Sequence, residues 1–300
     1  MKRALLVTLV AMFGAGSAAA QPAAAKRPDV VPHPLLWAAT KNGVTTYLFG
    51  TIHTGVNARE QLPDVVFDKL DAARAFAMET NLHDPVLVHL GERKSGTLHD
   101  DLGPAYWRKL EAALSPAIAR QIDNRKPVIA AVLLTFKDLP PTPPMDTELH
   151  MRAQEAQKRL VYLEPAAHEV AVLEEVMDLK MLKSMLDEPD AGSQQLKQML
   201  AAYLAGDADK IAEVNASERT HALAHGYTAA EYDAVMDKIL YRRNAAWIAP
   251  IEKLHADGGG FVAVGALHLS GAKSVLTLLQ ARGFTITRVP GAGTCCGWWW

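Results

Sequence analysis

Asn42-Gly43-Val44-Thr45-Thr46-Tyr47-Leu48-Phe49-Gly50-Thr51-Ile52-His53 is the stretch on which the reading of the fold turns. Asn-Gly between two apolar runs is the strongest short-range signal for a tight hairpin. Leu35-Leu36-Trp37-Ala38-Ala39-Thr40 before it and Val44 to Phe49 after it are therefore predicted to pair as strands, with Lys41-Asn42-Gly43 as the turn. The second strand runs straight into Gly50-Thr51-Ile52-His53. A glycine at a strand end permits a tight turn without a Cβ clash. The histidine is then delivered to the rim of a sheet rather than its interior.

Working outward, the same arrangement recurs near the other end of the chain. Phe261 to Val264 reads as a strand, and Gly265-Ala266-Leu267-His268 follows. Each histidine has a glycine three residues before it and another two or three after it, Gly55 and Gly271. Between the two copies, Pro63 to Ala73 reads as a helix with Val66, Leu70 and Ala73 on one face. Ala75-Phe76-Ala77-Met78 is a short strand ending at Glu79. Gly103 to about Arg159 is helical apart from the Pro-rich loop Pro140 to Pro144, and the strand Arg159 to Leu163 ends at Glu164. Helices dominate from Ala166 to about His255. Gly258-Gly259-Gly260 breaks the pattern, and after His268 a helix Ala272 to Arg282 is capped by Gly283 before a last strand, Phe284 to Val289. The alternation predicts an α/β fold: a central mixed or mostly parallel sheet with a large helical insertion, in one domain spanning 35–290.

The two ends read differently. Lys2 and Arg3, the apolar run Ala4 to Phe13 and the small residues Ala18-Ala19-Ala20 have the pattern of a signal peptide over 1–20, with Gln21 starting the mature chain. The apolar run is too short to span a bilayer, which takes roughly 20 residues. A retained signal anchor is the competing reading. No later stretch is apolar for long enough, so the mature chain is expected to have no transmembrane segment and to be periplasmic or secreted. Residues 21–34 are a Pro/Ala-rich linker and 291–300 a flexible tail. The tail holds both cysteines, Cys295 and Cys296, and Trp298-Trp299-Trp300. Adjacent cysteines cannot staple distant parts of a fold; a vicinal ring, a pair with another chain and a free tail all remain open. Losing Lys2 and Arg3 with the leader leaves 29 basic against 33 acidic residues, a net charge of −4. No basic footprint of a nucleic-acid binder is present.

Four expected strands end in residues of metal-ligand or acid–base type: His53, Glu79, Glu164 and His268. Ligands of open α/β sheets gather at the carboxyl ends of strands, where loops converge. Two neutral imidazoles and a carboxylate, His53, His268 and Glu79, make a candidate divalent metal site with an open position, where bound water would ionise near neutrality. The alternative makes both histidines hydrogen-bonded turn residues. Arg243 adds to the first reading. On a helix expected from Ala230 to His255, it falls between Ile239 and Trp247 on the apolar stripe of Tyr232, Val235, Met236, Ile239, Trp247, Ile251 and Leu254. An inward guanidinium needs a partner, and Glu79, Glu164 or a substrate oxyanion would serve, unless its charge snorkels out to water. His221 and His225 form an i, i+4 pair but lack the glutamate of a His-Glu-x-x-His motif, and read as surface residues. His33, His83, His89, His99, His150, His168 and His255 have no partner that the sequence names. Neither a Gly-x-Ser-x-Gly elbow nor a phosphate loop occurs.

Tyr47 to Gly55 resembles the amino-terminal signature of TraB/GumN proteins, and Phe261 to Leu269 resembles their carboxy-terminal one. Met78-Glu79-Thr80, Tyr162-Leu163-Glu164 and Arg243-Asn244-Ala245-Ala246-Trp247 match further positions of the family in order. The resemblance spans about Leu35 to Val289. It implies kinship with Tiki-type metal-dependent proteases and, more distantly, with erythromycin-esterase-like and haem-binding ChaN-like folds. It further implies a metal site of His53, Glu79 and His268 supported by Glu164, Arg243 and Asn244. The function expected is an exported metal-dependent hydrolase, a peptidase using a metal-bound water on a peptide or small-molecule substrate. Glu79 would be ligand or general base, and Arg243 would steady an oxyanion. The alternative is a cell-envelope protein that binds metal, haem or a small ligand without turnover.

Overall fold

The computed structural model describes residues 30–291. The expected hairpin forms from β1 (Leu36–Lys41) and β2 (Val44–Thr51), antiparallel, with Leu36 opposite Phe49. Asn42 and Gly43 have φ of 52° and 75°, the paired positive values of a type I′ turn, whose twist matches that of the strands it joins. β3 (Ala75–Met78), β4 (Arg159–Tyr162), β5 (Phe261–Gly265) and β6 (Thr285–Arg288) complete a six-stranded sheet of order β4-β3-β5-β2-β1-β6. β4, β3, β5 and β2 are mutually parallel, and β1 runs antiparallel to both its neighbours. The fold is thus α/β, with a mixed, mostly parallel sheet.

Side-chain burial explains why the central strands read as unbroken apolar runs. All four residues of β3 and the first four of β5 are buried, as expected where helices cover both faces. Phe261 packs against Phe49 and Phe76, with ring centroids 5.9 and 6.3 Å away. The helices are α1 (Ala58–Gln61), α2 (Asp64–Ala72), α3 (Leu98–Leu114), α4 (Pro116–Gln121), α5 (Pro127–Phe136), α6 (Met145–Glu155), α7 (Ala166–Val176), α8 (Leu179–Asp187), α9 (Ala191–Ala205), α10 (Ala208–Ala224), α11 (Ala229–Met236), α12 (Arg242–Ala256) and α13 (Val275–Ala281). Trp247, Ile251 and Leu254 of α12 join the sheet core. Leu98, Leu102, Leu110, Ala119, Leu182 and Leu186 instead form a second apolar cluster within the helical layer, to which α7 contributes Ala166 and Val170.

Three expectations about elements change. The helix expected over Ala230 to His255 is α11, a π turn Asp237–Tyr241 and α12. The extra residue of the π turn rotates the buried face, so Leu240 is buried where Ile239 was expected. The carboxy-terminal helix starts at Val275 rather than Ala272, because the Ser274 side chain caps it by accepting from the Thr277 N–H. The end of the expected linker is packed: Val31 is buried and its N–H donates to the Gln61 carbonyl at 2.8 Å. The leader, residues 21–29 of the linker and the tail with Cys295-Cys296 and Trp298-Trp299-Trp300 lie outside the described residues. Among the described residues, no helix is long and apolar enough to cross a membrane.

Candidate functional site at the carboxyl ends of the parallel strands

Because β2, β3, β4 and β5 run parallel, their carboxyl ends share one edge of the sheet. Glu79 and Glu164 stand just past β3 and β4, and the backbone N–H of Glu164 donates to the Glu79 carbonyl at 2.9 Å. Arg243, in the first turn of α12 directly after the π turn, lies between the two acids. Its Nη2 donates to Glu79 Oε2 at 2.7 Å and to Glu164 Oε1 at 2.5 Å, and its Nε to Glu164 Oε1 at 2.7 Å. The guanidinium is 5 % exposed and lies over the Trp247 ring, 5.0 Å from its centroid. Burial alone would lower the Arg243 pKa, but the surrounding carboxylates raise it. Arg243 therefore pairs with both acids.

The second oxygen of Glu79 accepts the Gly265 N–H at 2.7 Å. Burial pushes the Glu79 carboxyl up, yet His268, Arg243, His53 and that N–H outweigh it and hold the pKa at about 2. His268 sits on a 3-10 turn, Ala266–Leu269, following β5. Its Nε2 is 3.8 Å from Glu79 Oε2, and its ring lies 4.4 Å from that of Trp247. Asn244 donates from Nδ2 to the Lys273 carbonyl, so its Oδ1 accepts, and His268 Nδ1 donates to it at 2.5 Å. Nδ1 thus carries the proton and Nε2 keeps its lone pair. Burial holds His268 neutral, with a pKa of about 4.

His53 follows β2, as expected, but its partner was not visible in the sequence. Asp146, at the start of α6 after the Pro-rich loop, accepts from His53 Nδ1 at 2.9 Å and from Thr51 Oγ1 at 2.6 Å. The carboxylate raises the imidazole pKa, although the side chain is 62 % exposed and water screens the pair. His53, Glu79 and Asp146 line one pocket of about 160 Å³ with Thr80 and Glu169. Thr80 Oγ1 has no protein partner there. Glu169, on α7, is a further residue that pattern reading missed. Burial and the nearby Glu79 push its carboxyl up to about 7 despite Arg243 Nη2 at 3.7 Å. His168, which the sequence left without a partner, bonds Glu164 Oε2 at 2.6 Å through Nδ1.

The donor chemistry fits a divalent ion. Glu79 is ionised, and each histidine has Nδ1 engaged by a side-chain oxygen, the outer-shell arrangement that orients metal-bound imidazoles. The spacing is met by Glu79 and His268 alone. His53 does not join them in a trio whose donor atoms all lie within 4.8 Å of one another, so the expected three-donor convergence is absent: Asp146 draws the His53 ring towards the exposed rim.

No curated protein and no solved structure gives a significant match to the chain. Fold and site define an α/β protein with a histidine beside a Glu–Arg–Glu network, and a second histidine at the rim, at the carboxyl ends of parallel strands. A sequence profile of the TraB/PrgY/gumN family matches residues 35–288. The chain belongs to that family.

Proposed function

We propose that this chain is an exported metal-dependent hydrolase acting on peptide bonds, its ion held by Glu79 and His268 beside His53. One observation carries the reading: an ionised Glu79 stands 3.8 Å from the Nε2 of an imidazole whose Nδ1 is tied to Asn244. A divalent ion there would supply Lewis acidity. The chain's own residues supply the rest. Arg243 and Gly265 keep Glu79 ionised and fixed. Asn244 sets the His268 tautomer. Glu169, with a pKa of about 7, is suited to take a proton from water and return it to the leaving amine near neutral pH. His53, oriented by Asp146, presents Nε2 as a second proton carrier. The basic, apolar and small-residue pattern of 1–20 supports export, and amino-terminal sequencing of the processed protein is expected to begin at Gln21.

The test is metal analysis of the purified protein with cleavage of a peptide pool. Wild type is expected to retain one divalent ion at this site and to lose cleavage on chelation, with both ion and cleavage lost in His268→Ala. A second reading is favoured by the exposed position of His53: hydrolysis without a metal, with Glu169 as base and the His53–Asp146 pair as acid. Cleavage that survives chelation and His268→Ala but fails in His53→Ala and Glu169→Gln selects it over the first. Peptide cleavage absent from the fully metallated wild type removes both.

A further inference from the structure

We propose that Glu188, His221 and His225 form a second cation site, for a zinc-class divalent ion, in the helical layer. None of the three belongs to the strand-end cluster. The His221/His225 pair lacks the glutamate of a His-Glu-x-x-His motif, because Ala222 stands in its place. The fold supplies that acid from another helix. Glu188 is the residue capping the carboxyl end of α8, and His221 and His225 lie on the last turn of α10 and at its cap. Among the described residues, this is the only trio of His, Cys, Asp or Glu whose donor atoms all lie within 4.8 Å of one another.

The local geometry is that of a ligand set. An i, i+4 spacing puts both imidazoles on one helix face, with ring centroids 4.3 Å apart. His225 Nδ1 meets the His221 carbonyl at 2.7 Å. A carbonyl can only accept, so that nitrogen carries the proton and Nε2 is the donor atom of the neutral ring. His225 Nε2 contacts Glu188 Oε1, and His221 Nε2 lies 3.4 Å from Oε2. The neutral His225 ring thus turns a lone pair towards the Glu188 carboxylate, which His221 also faces, and one divalent ion there would serve all three donors. The carbonyl ends of two helices also meet there, and their dipoles favour a cation. Two imidazoles with one carboxylate suit zinc, nickel, cobalt or copper rather than calcium or magnesium. Three protein donors leave a fourth position open. Glu188 and His221 border an apolar cavity of about 280 Å³ lined also by Met181, Met185, Tyr232 and Met236, so an exchangeable fourth ligand has room.

Zinc chloride titrated into the full chain carrying His53→Ala and His268→Ala tests this apart from the strand-end site. One equivalent is expected to bind. Adding His225→Ala, His221→Ala or Glu188→Gln is expected to weaken binding by more than about tenfold, since losing even an outer-shell partner of a metal ligand costs that much. His99→Ala is expected to leave it unchanged. In the otherwise wild-type chain, His221→Ala with His225→Ala is expected to remove one equivalent, which keeps the test valid should the first background fold poorly. Absence of zinc binding from both backgrounds, or binding equally tight in the Glu188, His221 and His225 variants, overturns the proposal.

Discussion

Arg243 and Arg242 are sequence neighbours with opposite surroundings. Arg243 is buried between Glu79 and Glu164, while Arg242 is 73 % exposed beside Asp237. Arg243→Gln removes the cation shared by Glu79 and Glu164 and is expected to cost about 3–5 kcal/mol. Arg242→Gln is expected to cost less than about 0.5 kcal/mol. Urea denaturation separates them, and equal effects would mean the buried face is misassigned. The helical stripe made this contrast legible, because a cation at an apolar position demands a partner. Asp146 and Glu169 were illegible. Asp146 acts on Thr51 and His53 and Glu169 on Glu79 and Arg243, all distant in sequence, and neither acid stands at a strand end. Glu169 also sets a pH dependence. Its carboxyl titrates at about 7 in the fold against an ordinary 4.5. The folded state binds the extra proton, so this group's stability is full below about pH 4.5 and falls as pH rises through about 7. Glu79, held at about 2, acts oppositely: its contribution is present above 4.5 and is lost as pH falls towards 2. Between pH 5 and 8, wild type is expected to lose on the order of 1–3 kcal/mol that Glu169→Gln retains. Parallel denaturation curves at the two pH values for both proteins would contradict it.

At the level of elements, strands and their carboxyl-terminal residues were readable because short apolar runs bounded by Gly, Pro and Asn have few other solutions. The π turn was not. Nothing in Asp237-Lys238-Ile239-Leu240-Tyr241 marks an inserted residue, and its effect is visible only in which side chain is buried. Gly258-Gly259-Gly260 breaks the helical pattern before β5, and the structure supplies a steric reason for one member. Gly259 has φ of 84°, and a Cβ there would lie 2.2 Å from the Thr45 carbonyl oxygen of β2. Gly283 has the same φ of 84° but nothing within 4 Å. Gly283→Ala is expected to cost about 1–2 kcal/mol, the left-handed backbone penalty alone. Gly259→Ala adds a backbone collision between β2 and the start of β5 and is expected to cost about 4 kcal/mol or more, the top of the single-substitution range. Thermal melts of the two variants decide; similar melting temperatures would remove close approach as the reason for Gly259.

Across the whole molecule, two apolar clusters lie in one chain, one under the sheet and one within the helical layer. Composition foretold a large core, but not its division, because helical periodicity reports that a face is buried and not against what. Leu110, fully buried in the second cluster, is expected to cost about 2–5 kcal/mol when cut to Ala. Hydrogen exchange is expected to show that loss in α3 and α8 while β2 and β5 keep their protection; equal loss in both would mean a single cooperative core. α7 belongs to both regions. Ala166 and Val170 sit in the helical cluster, and Glu169 between them reaches the strand-end pocket. Packing and protonation are therefore thermodynamically linked, and linkage is reciprocal. Loosening the helical layer with Leu110→Ala would let water back to Glu169 and bring its titration towards 4.5. Whatever keeps that carboxyl protonated would, to the same degree, resist the opening of helices that never touch the pocket.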